Sequence, residues 1–155
     1  MPEPQDTPSR ITAFMVTVKE LLEANVDKIG NVVLLGQRNV ESLVQLMSQK
    51  GGGQAVSIMA IGGSNANPNV KGPQMTTNFQ LSVYDDPNMR DHYARHGYEL
   101  VEDSMRLLHR QNLQGLDAQC TDLAVADWFL EQDEGADIYT ISLEASLKYT
   151  PLPIT

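Results

Sequence analysis

One cysteine, Cys120, stands alone in this 155-residue chain, so no disulfide can form within it and a small secreted disulfide scaffold is excluded. Cations are scarce as well: 11 Lys and Arg face 20 Asp and Glu, for a net charge of −9. No basic stripe exists of the kind that neutralises a phosphate backbone, so sequence-specific nucleic-acid binding is not expected. Long apolar runs are missing too. The run at residues 32–35 falls far short of the roughly 20 residues that cross a bilayer, and no membrane partner is expected. The opening Met1-Pro2-Glu3-Pro4-Gln5-Asp6 has neither the basic nor the apolar region of a signal peptide. Together with the lone thiol, this points to synthesis and use in a cytoplasm.

What is present is clear patterning in the last hundred residues. Thr77, Phe79, Leu81 and Val83 alternate with Asn78, Gln80, Ser82 and Tyr84. Tyr139, Ile141, Leu143, Ala145, Leu147 and Tyr149 alternate with Thr140, Ser142, Glu144, Ser146 and Lys148. Side chains point to opposite faces along a strand, so both segments predict half-buried strands. Between them, Tyr93, Gly97, Leu100, Val101, Ser104, Leu107 and Leu108 form the stripe of an amphipathic helix predicted over residues 89–109. Its two small members, Gly97 and Ser104, would let it lie close to the sheet.

Towards the amino terminus, Pro2, Pro4 and Pro8 predict an extended arm over residues 1–8 that ends where Thr7 or Ser9 can cap a helix. Ile11, Phe14, Met15, Val18, Leu21 and Leu22 carry that helix, and residues 40–47 predict a shorter one stopped by Gly51-Gly52-Gly53. The apolar run at 32–35 is too short to assign as strand or helix. Residues 55–61 predict a strand, residues 118–130 another with an irregularity near Ala126-Asp127, and residues 131–136 an acidic turn. The expected fold is α+β, a single domain over residues 9–155. In it a mixed, largely antiparallel sheet packs against a long central helix, with additional amino-terminal helices.

Chemistry is harder to find. His92 and His96 are four apart on the predicted helix, half of a zinc site by spacing, but the intervening Tyr93-Ala94-Arg95 lacks a metalloprotease glutamate and no third ligand presents itself. His109 lies more than three turns away. Gln54 follows the glycine triplet where a phosphate-binding loop needs Lys and Ser or Thr. Asp133, Glu134 and Asp137 lack the ligand register of an EF-hand, and no Gly-x-Ser-x-Gly elbow occurs. No catalytic, cofactor-binding or metal-binding residue is therefore assigned. Residues 62–73, rich in Gly, Asn and Pro, are longer than a strand connection requires and predict a contact loop. Its interface residues are taken as Gly62, Gly63, Ser64, Asn65, Asn67, Asn69 and Lys71.

The order and pattern of these segments resemble the tail-terminator proteins of long-tailed, including contractile-tailed, double-stranded DNA phages. The resemblance rests on residues 56–61 ending in Gly62-Gly63, the long loop, and Asn78-Phe79-Gln80-Leu81-Ser82-Val83-Tyr84. It continues through helix 89–109 and Trp128-Phe129-Leu130, then Asp133-Glu134-Gly135 leading into Ile138-Tyr139-Thr140-Ile141-Ser142-Leu143-Glu144. Residues 32–47 are an elaboration outside it. The resemblance implies a non-enzymatic virion protein of the tail or neck, assembled in the host cytoplasm. It further implies a homo-hexameric ring that caps the tail tube, with the tube protein, the sheath of a contractile tail and a head-completion or neck protein as partners. Two alternatives stay open: another neck or tail-completion protein, or a small ligand-binding or enzymatic domain whose sheet cleft is lined by Trp128, Tyr84, His92, His96 and His109.

Overall fold

Among the described residues, the helices pack onto one face of the sheet. The computed structural model describes residues 9–30, 32–35, 53–90, 95–111, 113, 120–133 and 135–154. Its elements are α1 (Arg10–Asn25), β1 (Val32–Leu34), β2 (Gln54–Asn65), β3 (Gln74–Asp85), α2 (Gly97–Leu108), β4 (Cys120–Asp133) and β5 (Ala136–Lys148). The strand order is β1-β2-β3-β5-β4; β1 runs parallel to β2 and every other neighbouring pair is antiparallel.

Ser9 opens α1 by accepting the Thr12 N–H at 3.3 Å, which satisfies one of the donors a helix start leaves free. The helix lays Phe14, Met15, Val18 and Leu22 on the sheet. The alternation read from sequence sets the sheet's inner face: Phe79, Leu81 and Val83 of β3 lie beside Leu143, Ile141 and Tyr139 of β5, all buried. Leu100, Val101 and Leu108 of α2 join the same core, and Gly97 and Ser104 are fully enclosed, as their small size in the stripe suggested. At Gly97 the fit leaves no freedom, since a Cβ there would sit 2.5 Å from Cε2 of Tyr139.

Two expectations need correction, and another falls outside the described residues. The central helix is shorter than predicted, 12 residues instead of a span from 89 to 109. The cause is Asp85, a fully buried carboxylate that accepts the Gly97 N–H at 3.0 Å and Arg90 Nη1 at 2.7 Å. Residues 86–90 form a turn in which the Asn88 N–H binds Asp86 Oδ1 and the Arg90 N–H binds the Asp86 carbonyl, so that Arg90 turns back while the helix starts afresh at Gly97. A negative charge at a helix start is also favoured by the helix dipole. Secondly, α1 is the amino-terminal helix among the described residues; the helix expected at 40–47 and the arm at 1–8 lie outside them. Thirdly, residues 131–133 continue β4, pairing Asp133 with Ala136, so the acidic turn is tighter than expected. The run at 32–35 resolves as the three-residue β1, buried on both faces, and the irregularity at Ala126 is a β-bulge between Val125 and Asp127.

Candidate assembly surfaces

Two long hairpins extend beyond the helices, one at each end of the sheet. The β2–β3 hairpin carries every residue predicted to form an interface. Gly62, Gly63, Ser64 and Asn65, expected in a loop, lie instead in β2, paired with Asn78, Thr77, Thr76 and Met75. Turn-favouring residues stay extended here because the partner strand takes up their backbone groups across a bulge at Ile61. Asn67, Asn69 and Lys71 occupy the turn at 66–73, so three of the seven predicted residues lie at the tip and four on the exposed end of β2 leading to it.

That tip is better tied down than its composition suggests. Asn65 Oδ1 accepts the Asn67 N–H at 3.1 Å, the Ala66 N–H binds the Gln74 carbonyl at 2.9 Å and the Tyr149 N–H binds the Pro73 carbonyl at 2.9 Å. At Gly72 a Cβ would meet the Tyr149 carbonyl at 2.3 Å, so the base of the turn is packed against the end of β5. Its outer part is exposed and closed by the Val70 N–H bond to the Asn67 carbonyl at 3.2 Å. Removing residues 68–71 is accordingly expected to cost less than about 1 kcal/mol of stability, the range for surface changes away from buried features. Denaturant unfolding of the shortened chain, run beside an assembly assay, checks this; a large loss of stability with normal assembly would make the tip part of the domain's own packing.

The opposite end shows a surface that the sequence reading missed. Trp128 and Leu130 of β4 lie opposite Ile141 and Tyr139 of β5, on the helix-bearing face, yet remain 49% and 47% exposed. Trp128 and Tyr139 have ring centroids 6.5 Å apart, and Tyr98, exposed on the first turn of α2, follows the Gly97 that abuts Tyr139. The available signal was Trp128-Phe129-Leu130 itself, three large apolar residues in a row where β4 loses its alternation of buried and exposed positions.

On the sheet face opposite α1 and α2 the register places Ser57, Ser82 and Thr140 in one cross-strand row, all three buried, with Ser82 Oγ 3.3 Å from Thr140 Oγ1. Towards the β4 side that face carries Asp122, Asp127, Glu131, Asp133 and Glu144, with Lys148 at its far end. Asp122 is engaged by Arg110 at 2.7 Å.

Among the described residues, the groups considered for chemistry do not come together. Trp128 and Tyr84 sit on opposite faces of the sheet. His96 caps the start of α2 and accepts the Tyr98 N–H, while the His109 ring accepts the Val125 N–H at 3.0 Å beyond the other end. Twelve residues of helix hold these two rings apart, about 18 Å at 1.5 Å per residue. His92 and Glu134 lie outside the described residues, and among the described residues no three His, Cys, Asp or Glu side chains are grouped to hold a metal ion. Cys120 is buried, which pushes its thiol pKa up and keeps it protonated; its Sγ donates to the Asp122 carbonyl. Gly53 makes a tight turn at positive φ, its carbonyl accepting the Asp86 N–H at 2.8 Å, and a Cβ there would strike Met89.

No protein-family model matches the chain, and no curated protein matches it. Among solved structures, a chain from the virion of a native gene transfer agent particle superposes with a TM-score of 0.58 at 13% identity, covering 88% of this chain and 96% of that one. At that identity the likeness is one of fold. Two chains from Akkermansia muciniphila align over 96% and 94% of this chain at 12% identity, with TM-scores of 0.36 and 0.29 that carry no argument.

Proposed function

We propose that this chain is a structural protein of a phage-like virion that closes into a ring, caps the tail tube and joins the tail to the head or neck. The observation that carries the reading is the shared fold with a chain of the gene transfer agent virion, which extends over nearly the whole of both chains. The surfaces are of the kind such a role uses. An exposed hairpin tip and an open edge strand offer contact to neighbours, and a long unpaired edge in a small domain is ordinarily covered by a partner. The carboxylates on the β4 side of the face opposite α1 and α2 would repel a polyanion passing through a channel, so DNA would not adhere to it. The role requires no catalysis, and the separation of His96 from His109 and the burial of Cys120 are in keeping with that. Assembly would take place in the host cytoplasm, with the tube protein and a head-completion or neck protein as neighbours.

Native mass spectrometry of the purified chain with two-dimensional averaging of particle images tests the reading. The expected result is a closed ring of identical subunits, six by the tail-terminator reading. Monomers at micromolar concentration together with no ring of this protein in the assembled particle would overturn it.

A further inference from the structure

After β5 the chain leaves the sheet as Thr150-Pro151-Leu152-Pro153-Ile154. Each proline fixes its own φ and biases the preceding residue to extended geometry, so this segment is preset as a stretched chain. Leu152 is 88% exposed and Ile154 fully exposed, although the segment is anchored at its root by the Tyr149 hydrogen bond to Pro73. Two large aliphatic side chains are thus held out in water with nothing in their own chain to cover them.

The chain also carries an apolar surface with no cover, the Trp128, Leu130 and Tyr98 patch. The two cannot meet within one molecule. Trp128 lies opposite Ile141, eight residues up β5 from Tyr149, or about 26 Å at the strand rise. Leu152 is three residues beyond Tyr149 and Ile154 five, so even fully stretched they reach only about 11 and 18 Å. Donor and acceptor therefore sit at opposite ends of the sheet, the arrangement that a head-to-tail contact between identical copies requires.

Backbone chemistry agrees. Prolines at 151 and 153 strip N–H groups from one edge of the extended segment and leave those of Leu152 and Ile154 on the other, so it can add to a sheet on one side only. The outer side of β4 has no strand partner among the described residues beyond the single bridge at Cys120. Proline-rich extended segments also favour aromatic surfaces, because little conformational entropy is lost on docking.

We infer that residues 150–154 of one copy dock along the outer edge of β4 in the next copy, with Leu152 and Ile154 packed against its Trp128, Leu130 and Tyr98. The inference deepens the ring reading and rests on it for the closure of the contact. It also identifies why the edge of β4 can remain long and apolar without promoting open aggregation: the segment that covers it ends further pairing.

The test places a photo-crosslinking amino acid at position 154 of the full chain and mixes it with an isotope-labelled copy. The expected result is crosslinks between differently labelled chains, mapped to residues 97–105 or 121–133. Removing the aromatic anchor with Trp128→Ala should reduce their yield about tenfold, the ratio that loss of one interface hot spot of 1.4 kcal/mol or more brings. The double variant Leu152→Asp, Ile154→Asp, altered only at exposed positions, should keep the wild-type melting temperature and lose the ring in native mass spectrometry. Crosslinks confined to one chain, or formed only with an added tube protein, would overturn the inference. A ring that persists in the double variant would overturn it while leaving the ring reading intact. Interchain crosslinks at the expected site in a wild-type chain that forms no ring would uphold the contact and sink the ring.

Discussion

Replacing Asp85 by alanine is expected to lower the free energy of unfolding by about 3–5 kcal/mol, the range for breaking a buried charge pair by removing one partner. The carboxylate is fully buried and accepts Arg90 Nη1 at 2.7 Å, the Gly97 N–H at 3.0 Å and Gln54 Nε2 at 3.2 Å. Its removal leaves a guanidinium only partly open to water, an amide donor and a helix start without their common acceptor. The same change opens space beside Tyr139, which packs on Gly97. For a chain of this length the melting temperature should fall by roughly 10 °C, taking 2–4 °C per kcal/mol. Asp85→Asn, which keeps the shape and one acceptor oxygen, should cost clearly less. Urea unfolding with an unchanged m-value measures both; a loss below about 1 kcal/mol for the alanine variant would mean that water or another side chain takes the place of the carboxylate.

Truncation of Phe79 to alanine should be comparably damaging, about 3–5 kcal/mol. Phe79 is fully buried in the central strand, 4.3 Å from the Phe14 ring between centroids, and it lies between Ala60 of β2 and Leu143 of β5. Because it joins α1 to three strands, the space it vacates cannot be closed by the movement of one element. Its neighbour Gln80 points to the opposite face of the sheet and is only partly buried, so Gln80→Ala should cost less than about 1 kcal/mol. The contrast between adjacent positions is the sharper measurement. Comparable losses at 79 and 80 would show the strand's inner face to be assigned wrongly, since a shift of one residue reverses every side chain. Leu143→Ala, across the strand pair, should fall within about 2–5 kcal/mol and should not add fully to Phe79→Ala, because the two side chains share one packing site.

Much of this architecture was legible because its cause is local. The strict alternation at 77–83 and 139–149 can be satisfied only by strands with one wet and one dry face, and the structure pairs those two segments residue for residue. Ser9 followed by helical apolar spacing marked α1, and the break in pattern at Ala126 marked a bulge. The β1 segment was ambiguous for a physical reason: three consecutive buried residues carry no period, and their parallel pairing with Val56, Ser57 and Ile58 is a long-range fact.

The assembly surfaces divide in the same way. The Gly, Asn and Pro content of 62–73 announced an exposed tip; Asn67, Asn69 and Lys71 lie in it, while the four earlier positions lie on the exposed end of β2 that leads to it. That Gly62 to Asn65 belong to a strand depends on partners a dozen residues away, which override their turn preference. Trp128 entered the sequence reading only as part of the Trp128-Phe129-Leu130 resemblance and as a lining residue of a possible cleft; its exposure with Leu130 on the edge strand is a fact of the sheet order.

By itself, then, the sequence determined which segments alternate, where α1 begins, that no disulfide can form within the chain, and that the 66–73 turn faces outward. These follow from side-chain chemistry and periods of two or 3.6 residues, which act over a few neighbours. Tertiary structure alone decided where α2 starts, because one buried carboxylate gathers Arg90, Gln54 and Gly97 from three separate elements. It also decided that the Leu152–Ile154 segment and the Trp128 surface stand at opposite ends of the sheet, since that separation is set by strand order and register, which no local pattern records.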